Sequence, residues 1–115
     1  MVTVSTMARS SSSRDISFDT DFGPARIRWD GPRATLFLGD VESSAVDTSD
    51  PTYLEFEYMQ HMDAVVSSLW GPQDRFRALH VGGAACALAC AWSSSHPQSR
   101  HVAVEVDRLL AEQVR

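Results

Sequence analysis

The residues with the clearest chemical potential are Leu79-His80-Val81-Gly82-Gly83-Ala84-Ala85, followed 22 residues after Gly83 by Glu105. Paired glycines at the end of an apolar strand let the backbone approach a ligand, because no Cβ stands in the way. A carboxylate ending the next strand can accept hydrogen bonds from ribose hydroxyls. Together they describe a nucleoside-bearing ligand lying over the carboxyl ends of two strands. The G-x-G-x-x-G form is absent, since Gly82 and Gly83 are followed by Ala84, Ala85, Cys86 and Ala87. A tight strand-to-helix turn with close packing would use the same residues. On spacing alone both readings stand.

Other reactive side chains form weaker patterns. Cys86 and Cys90 are four residues apart, with His80 nearby and His96 and His101 flanking a loop. A zinc site needs two further ligands at workable spacing, and none is offered, so no metal is expected. The two thiols read as small side chains packing a helix onto a sheet, and a disulfide four residues apart on a helix is disfavoured by geometry. The serines at 10–13 and 93–95 lack the strand-and-elbow setting of a nucleophile. His61 reads as a satisfied, partly buried histidine. Asp107 and Glu112 read as solvated charges at the start of a helix.

These groups must be positioned by the elements around them. Residues 1–15 carry a serine run between Arg9 and Arg14 and no apolar core for a signal peptide, which suggests a flexible leader. Residues 16–48 alternate with period two, punctuated by Asp30-Gly31-Pro32 and Gly39-Asp40, and predict an antiparallel β-meander. In residues 49–72, Asp50-Pro51 has the form of a helix start. Leu54, Tyr58, Met62, Val65 and Leu69 then make one apolar stripe, predicting an amphipathic linking helix of about five turns that Gly71-Pro72 ends. In residues 73–115 the pattern is strand (77–81), glycine turn, helix (84–92), loop (93–97), strand (101–106) and helix (108–115). That order is a Rossmann-like βαβ(α) unit with parallel strands. The fold class is α+β passing into α/β.

The chain has 115 residues and a formal net charge of −5, and all ten of its basic residues are Arg. Without Lys there is no Schiff base and no phosphate-loop lysine. An acidic chain with scattered Arg has no basic stripe for a phosphate backbone, so no nucleic-acid partner is expected. The longest apolar run, at 84–92, is far short of the ~20 residues of a membrane span, and no membrane partner is expected. A reducing cytoplasm is the default setting.

The ordered motifs carry a resemblance. Residues 50–62, Asp50-Pro51-Thr52-Tyr53-Leu54-Glu55-Phe56-Glu57-Tyr58-Met59-Gln60-His61-Met62, come before the glycine turn, and Val104-Glu105-Val106-Asp107 follows it. In this order they resemble the spermidine synthases and their relatives, over roughly residues 18–115. The resemblance implies a small β-domain followed by a methyltransferase-type Rossmann-like domain. The implied ligand is decarboxylated S-adenosylmethionine, or S-adenosylmethionine in methyltransferase-like branches. Glu105 then matches the ribose-holding carboxylate, and Gly82 and Gly83 the first two glycines of the nucleoside loop. Tyr58 and His61 fall near the residues that shape the polyamine side of the cleft.

The departures from that pattern set limits. Ala84 stands where the third glycine would be, and Ala85 where the loop Asp would be. If position 84 needs φ > 0, Ala costs about 1–2 kcal/mol there. In the family, the adenine-binding acidic residue and the catalytic aspartate lie beyond the second parallel strand, past the stretch present here. The expectation is therefore the N-terminal part of a spermidine synthase-like transferase, of aminopropyltransferase or methyltransferase type. It would bind the nucleoside but not be catalytic alone, with a homodimer or a missing C-terminal half completing it. The alternative is a non-enzymatic dimerisation or assembly module that keeps the fold without ligand.

Overall fold

The structure is a computed structural model and describes residues 13–114. The leader expected over residues 1–15 lies outside the described residues as far as residue 12. Strand β1 (Ser13–Thr20) begins inside that segment, because Arg14 and Asp15 pair across to Trp29 and Arg28 of β2 (Gly23–Asp30). The Arg14 guanidinium lies 5.9 Å from the Trp29 ring centre, and Asp15 bonds Arg28 at 3.1 Å. A strand start held by charge pairs leaves no apolar alternation to read.

β3 (Arg33–Leu38) and β4 (Val41–Asp47) complete a four-stranded antiparallel sheet in the order β1-β2-β3-β4. Its register sets Ile16, Ile27, Leu36 and Ser44 side by side, with Phe18 and Ala25 on the same face. On the opposite face Phe37 is buried under Arg26, whose guanidinium sits 3.8 Å from the ring centre. The meander is thus as the period-two pattern predicts.

Residues 50–52 depart from the expected helix start. The Asp50 carboxylate accepts the Thr52 N–H at 3.1 Å and its hydroxyl at 2.6 Å, closing a local turn. Such side-chain bonds compete with helix formation, so Asp50 shapes a loop instead of capping a helix. Helix α1 (Glu57–Leu69) starts seven residues later with no side-chain cap at Phe56. Leu54 therefore lies outside the helix, and its carbonyl accepts the Gln60 amide at 2.8 Å. Met59, Asp63 and Val66 are half-buried, whereas Tyr58, Met62, Val65 and Leu69 are exposed. The apolar stripe is real, but the described chain does not cover it.

β5 (Arg77–Val81) and β6 (Arg100–Val104) pair in parallel, joined through α2 (Ala87–Ser95), and α3 (Arg108–Val114) follows. This is the expected Rossmann-like unit, with shifted boundaries. α2 starts three residues after Ala84 because the intervening backbone is left-handed, and it absorbs 93–95, which the sequence assigns to a loop. β6 stops at Val104, two residues early. Ala87, Leu88, Ala91 and Trp92 of α2 are buried. The other face of the two strands is open: Leu79, Val81, Val102 and Val104 are all exposed. A core of Ala25, Leu36 and Leu110, flanked by Phe18, Ile27, Ala84 and Val114, fastens the meander to α3 and the glycine turn. Among the described residues, no helix is long and apolar enough to cross a membrane.

Candidate functional site

The turn after β5 is a run of constrained backbone. Gly82 has φ 82°, Ala84 φ 45° and Cys86 φ 60°. Both Gly82 and Gly83 donate their N–H to the Val104 carbonyl, at 2.8 and 3.2 Å, which clamps the turn onto the end of β6. Cys86 closes the loop by donating to the Gly83 carbonyl at 2.7 Å.

The two glycines serve different purposes. A Cβ on Gly83 would lie 3.1 Å from the Ala103 Cβ and 3.4 Å from the Cys86 Sγ, so this glycine permits close packing of the loop on β6. A Cβ on Gly82 would meet nothing within 4 Å, yet the backbone there is left-handed. Gly82 instead borders a cavity of about 380 Å³ with Val81, Val104, Glu105 and Val106. The packing and ligand-approach readings of the turn are thus divided between neighbouring residues.

Glu105 bridges the two ends of the site. One carboxylate oxygen accepts the Ala84 N–H at 3.0 Å, and the other accepts the Asp107 N–H at 3.1 Å. Each oxygen keeps a further lone pair for a hydroxyl donor. A second cavity, of about 290 Å³, lies on its other side between Phe22, Leu38 and Asp107. Gly82, Gly83, Ala84 and Glu105 are therefore brought together as the spacing suggests.

Tyr58 and His61 are separated. Tyr58, with Met62, lines a groove of about 450 Å³ along β5 that also includes Leu79, His80, Gly82 and Trp92. His61 pairs with Glu57 at 3.5 Å across one helical turn and is 74% exposed, so it is neither partly buried nor in the groove. The helix period explains this: Tyr58, Met59 and Met62 share the face on the groove, and His61, one residue before Met62, is turned about 100° from it.

Asp107 is not a solvated charge. It is 4% exposed, and one oxygen accepts the N–H groups of Asp21 and Leu110, both at 3.0 Å. Desolvation pushes its carboxyl up, but these amide bonds and further hydrogen bonding from Thr20 and Phe22 outweigh it, leaving the group below the ordinary carboxylate range. Glu112 pairs with Arg108 at 3.3 Å on the exposed face of α3. Cys86 and Cys90 are free thiols, and burial pushes the Cys86 thiol up, with Cys90 and Glu105 adding to the effect.

Sequence spacing misses two contacts. His80 and His101 meet at 3.0 Å, and the Trp92 indole donates to Asp63 at 2.9 Å. Only the strand register reveals the first, because Ala78 pairs with His101 and His80 with Ala103.

A solved structure is similar in fold, a probable spermidine synthase from Corynebacterium glutamicum, with a TM-score of 0.76 and 28% sequence identity over 87% of the present chain. The fold is spermidine synthase-like. The chain spans 38% of that protein's length. No family model matches the chain, and no curated protein does.

Proposed function

We propose that this chain is the nucleoside-binding N-terminal part of a spermidine synthase-like transferase, not catalytic alone. The reading rests on Glu105, whose carboxylate is oriented by the Ala84 and Asp107 amides beside the open cavity at Gly82. Those residues fit S-adenosylmethionine or its decarboxylated form. Glu105 would accept the ribose hydroxyls, Gly82 would let the ligand approach the backbone, and Gly83 would keep the turn in place. When bound, such a ligand supplies an activated group next to its sulfonium. The chain's own residues hold and orient it. Free thiols at Cys86 and Cys90 suit a reducing cytoplasm.

Transfer also needs carboxylates to hold a polycation and a base to keep the attacking amine unprotonated. The loop position that would carry one carboxylate is Ala85. In our reading the remaining groups would come from the part of such a fold that the chain does not span. The open face of β5 and β6 is where we place that part.

Titration calorimetry with S-adenosylmethionine, decarboxylated S-adenosylmethionine and methylthioadenosine tests the reading, using the natural chain and Glu105→Gln. Saturable binding that Glu105→Gln weakens by about tenfold or more supports it, as expected on losing a charge-assisted hydrogen bond. Equal affinity in both proteins contradicts the ribose assignment.

One observation favours a second reading. Leu79, Val81, Val102 and Val104 form an exposed apolar face, and parallel sheets are ordinarily covered on both sides. An assembly module would use that face to pair without any ligand. Self-association combined with no nucleoside binding would favour this alternative.

A further inference from the structure

Parallel pairing puts Ala78, His80, His101 and Ala103 on one face of the strands, opposite Leu79 and Val102, with Trp92 of α2 against the two histidines. Two half-buried imidazoles thereby lie among rings. Trp92 lies 5.6 Å from His80 and 6.2 Å from His101, and Phe76 meets His101 edge-on at 5.8 Å. The contacts run in a line: His80 Nε2 to His101 Nδ1 at 3.0 Å, then His101 Nε2 to Ser99 Oγ at 2.7 Å, then Ser99 Oγ to the His96 carbonyl at 2.6 Å.

Hydrogen counting gives this line a direction. A carbonyl only accepts, so the single Ser99 hydroxyl proton goes to His96. Ser99 Oγ must then accept from His101 Nε2–H. A neutral His101 with its proton on Nε2 has a bare Nδ1, which accepts from His80 Nε2–H. Both rings are neutral Nε2–H tautomers. His80 can gain a proton on Nδ1 without losing a bond. Once His80 is protonated, His101 can gain a proton only on Nδ1, which faces His80 Nε2–H, so uptake of both protons breaks the line and sets two cations 3.0 Å apart.

We infer that the His80–His101–Ser99 line is a pH-sensitive latch holding α2 and its following loop to β6, closed when both rings are neutral and opened by proton uptake. Burial holds both imidazoles below their ordinary value, and for His101 the neighbouring His80 and His96 add to the effect. From the other elements, His96 faces the cluster with its Nδ1 3.3 Å from the Gly71 carbonyl, and Asp63 of α1 reaches it through Trp92. Arg77 and Arg100 lie on the opposite face. Because the folded values are depressed, the unfolded chain binds more protons below pH ~6.5, and stability falls as pH drops through that point.

Urea unfolding of the full chain between pH 7.5 and 5.0 tests the latch. The unfolding constant should rise as pH falls below ~6.5, by at most about tenfold per pH unit for each imidazole, until the folded value is passed. The His80→Gln, His101→Asn double variant should lose that slope. A natural chain whose unfolding constant stays within twofold over this range overturns the proposal, as does an unchanged slope in the variant. If the variant does not fold, imidazole ¹⁵N spectra of the natural chain decide. Nε2–H tautomers at pH 7.5 and a His101 midpoint below 6.5 support the latch, whereas an Nδ1–H tautomer or a midpoint at or above 6.5 overturns it.

Discussion

The Asp107 and Asp21 carboxylates each accept a backbone N–H from the other's segment, joining stretches 86 residues apart in sequence. Asp107 accepts the Asp21 N–H at 3.0 Å, while Asp21 accepts the Arg108 N–H at 2.7 Å. The β1–β2 turn and the start of α3 thereby satisfy each other's open amides. The same joint fixes the chain just after Glu105, whose second oxygen holds the Asp107 N–H. Asp107→Ala removes a helix cap and leaves the Asp21 and Leu110 amides without their acceptor. Thermal unfolding should show Tm lower by about 5 °C, a typical response to losing one cap in a domain of this size. Asp107→Asn, which keeps an acceptor, should lose less.

Acid behaviour follows from the same group. The Asp107 carboxyl lies below its ordinary value in the folded chain, so its contribution is present above pH ~4 and is lost as pH falls through the folded value. Unfolding curves between pH 5 and 2 should steepen below pH ~4, and Asp107→Asn should flatten that limb. The window is separate from that of the imidazoles.

Ala84 occupies a left-handed position at φ 45° that suits glycine. Ala84→Gly should relieve about 1 kcal/mol of backbone strain, partly offset by unfolded-state entropy and a lost methyl contact in the core. The expected net gain is about 0.5 kcal/mol by urea unfolding. Ala84→Val should destabilise, since a branched side chain tolerates this backbone less well.

The open strand face should govern association. Replacing Leu79 and Val102 with Thr removes apolar surface that the described chain leaves exposed. Stability should change by less than about 0.5 kcal/mol per site. Sedimentation velocity should show concentration-dependent association of the natural chain and a smaller species for the variant.

Local patterns were legible where one element carries the signal. The alternation around Ile27 and Leu36 marks the meander, and Val81-Gly82-Gly83 followed by Glu105 marks the parallel unit and its turn. Asp50-Pro51 misleads because an Asp before Pro serves a turn as readily as a helix cap, and the Thr52 bonds decide between them. Asp107 looks like any charge at a helix start until Asp21 arrives from the other end of the chain. His80 and His101 become neighbours only through strand register, which spacing does not encode. His61 was misplaced because a position near the groove in sequence is rotated out of it on the helix.

The nucleoside site itself is tested most directly by backbone NMR of the full chain during titration with methylthioadenosine. Shift changes centred on Gly82, Gly83, Ala84 and residues 104–106 are the predicted result, since Gly82 and residues 104–106 line the cavity and the Gly83 and Ala84 amides bond to Val104 and Glu105. No shift change up to millimolar ligand, or changes confined to the groove of Tyr58, Met62 and Trp92, would contradict it.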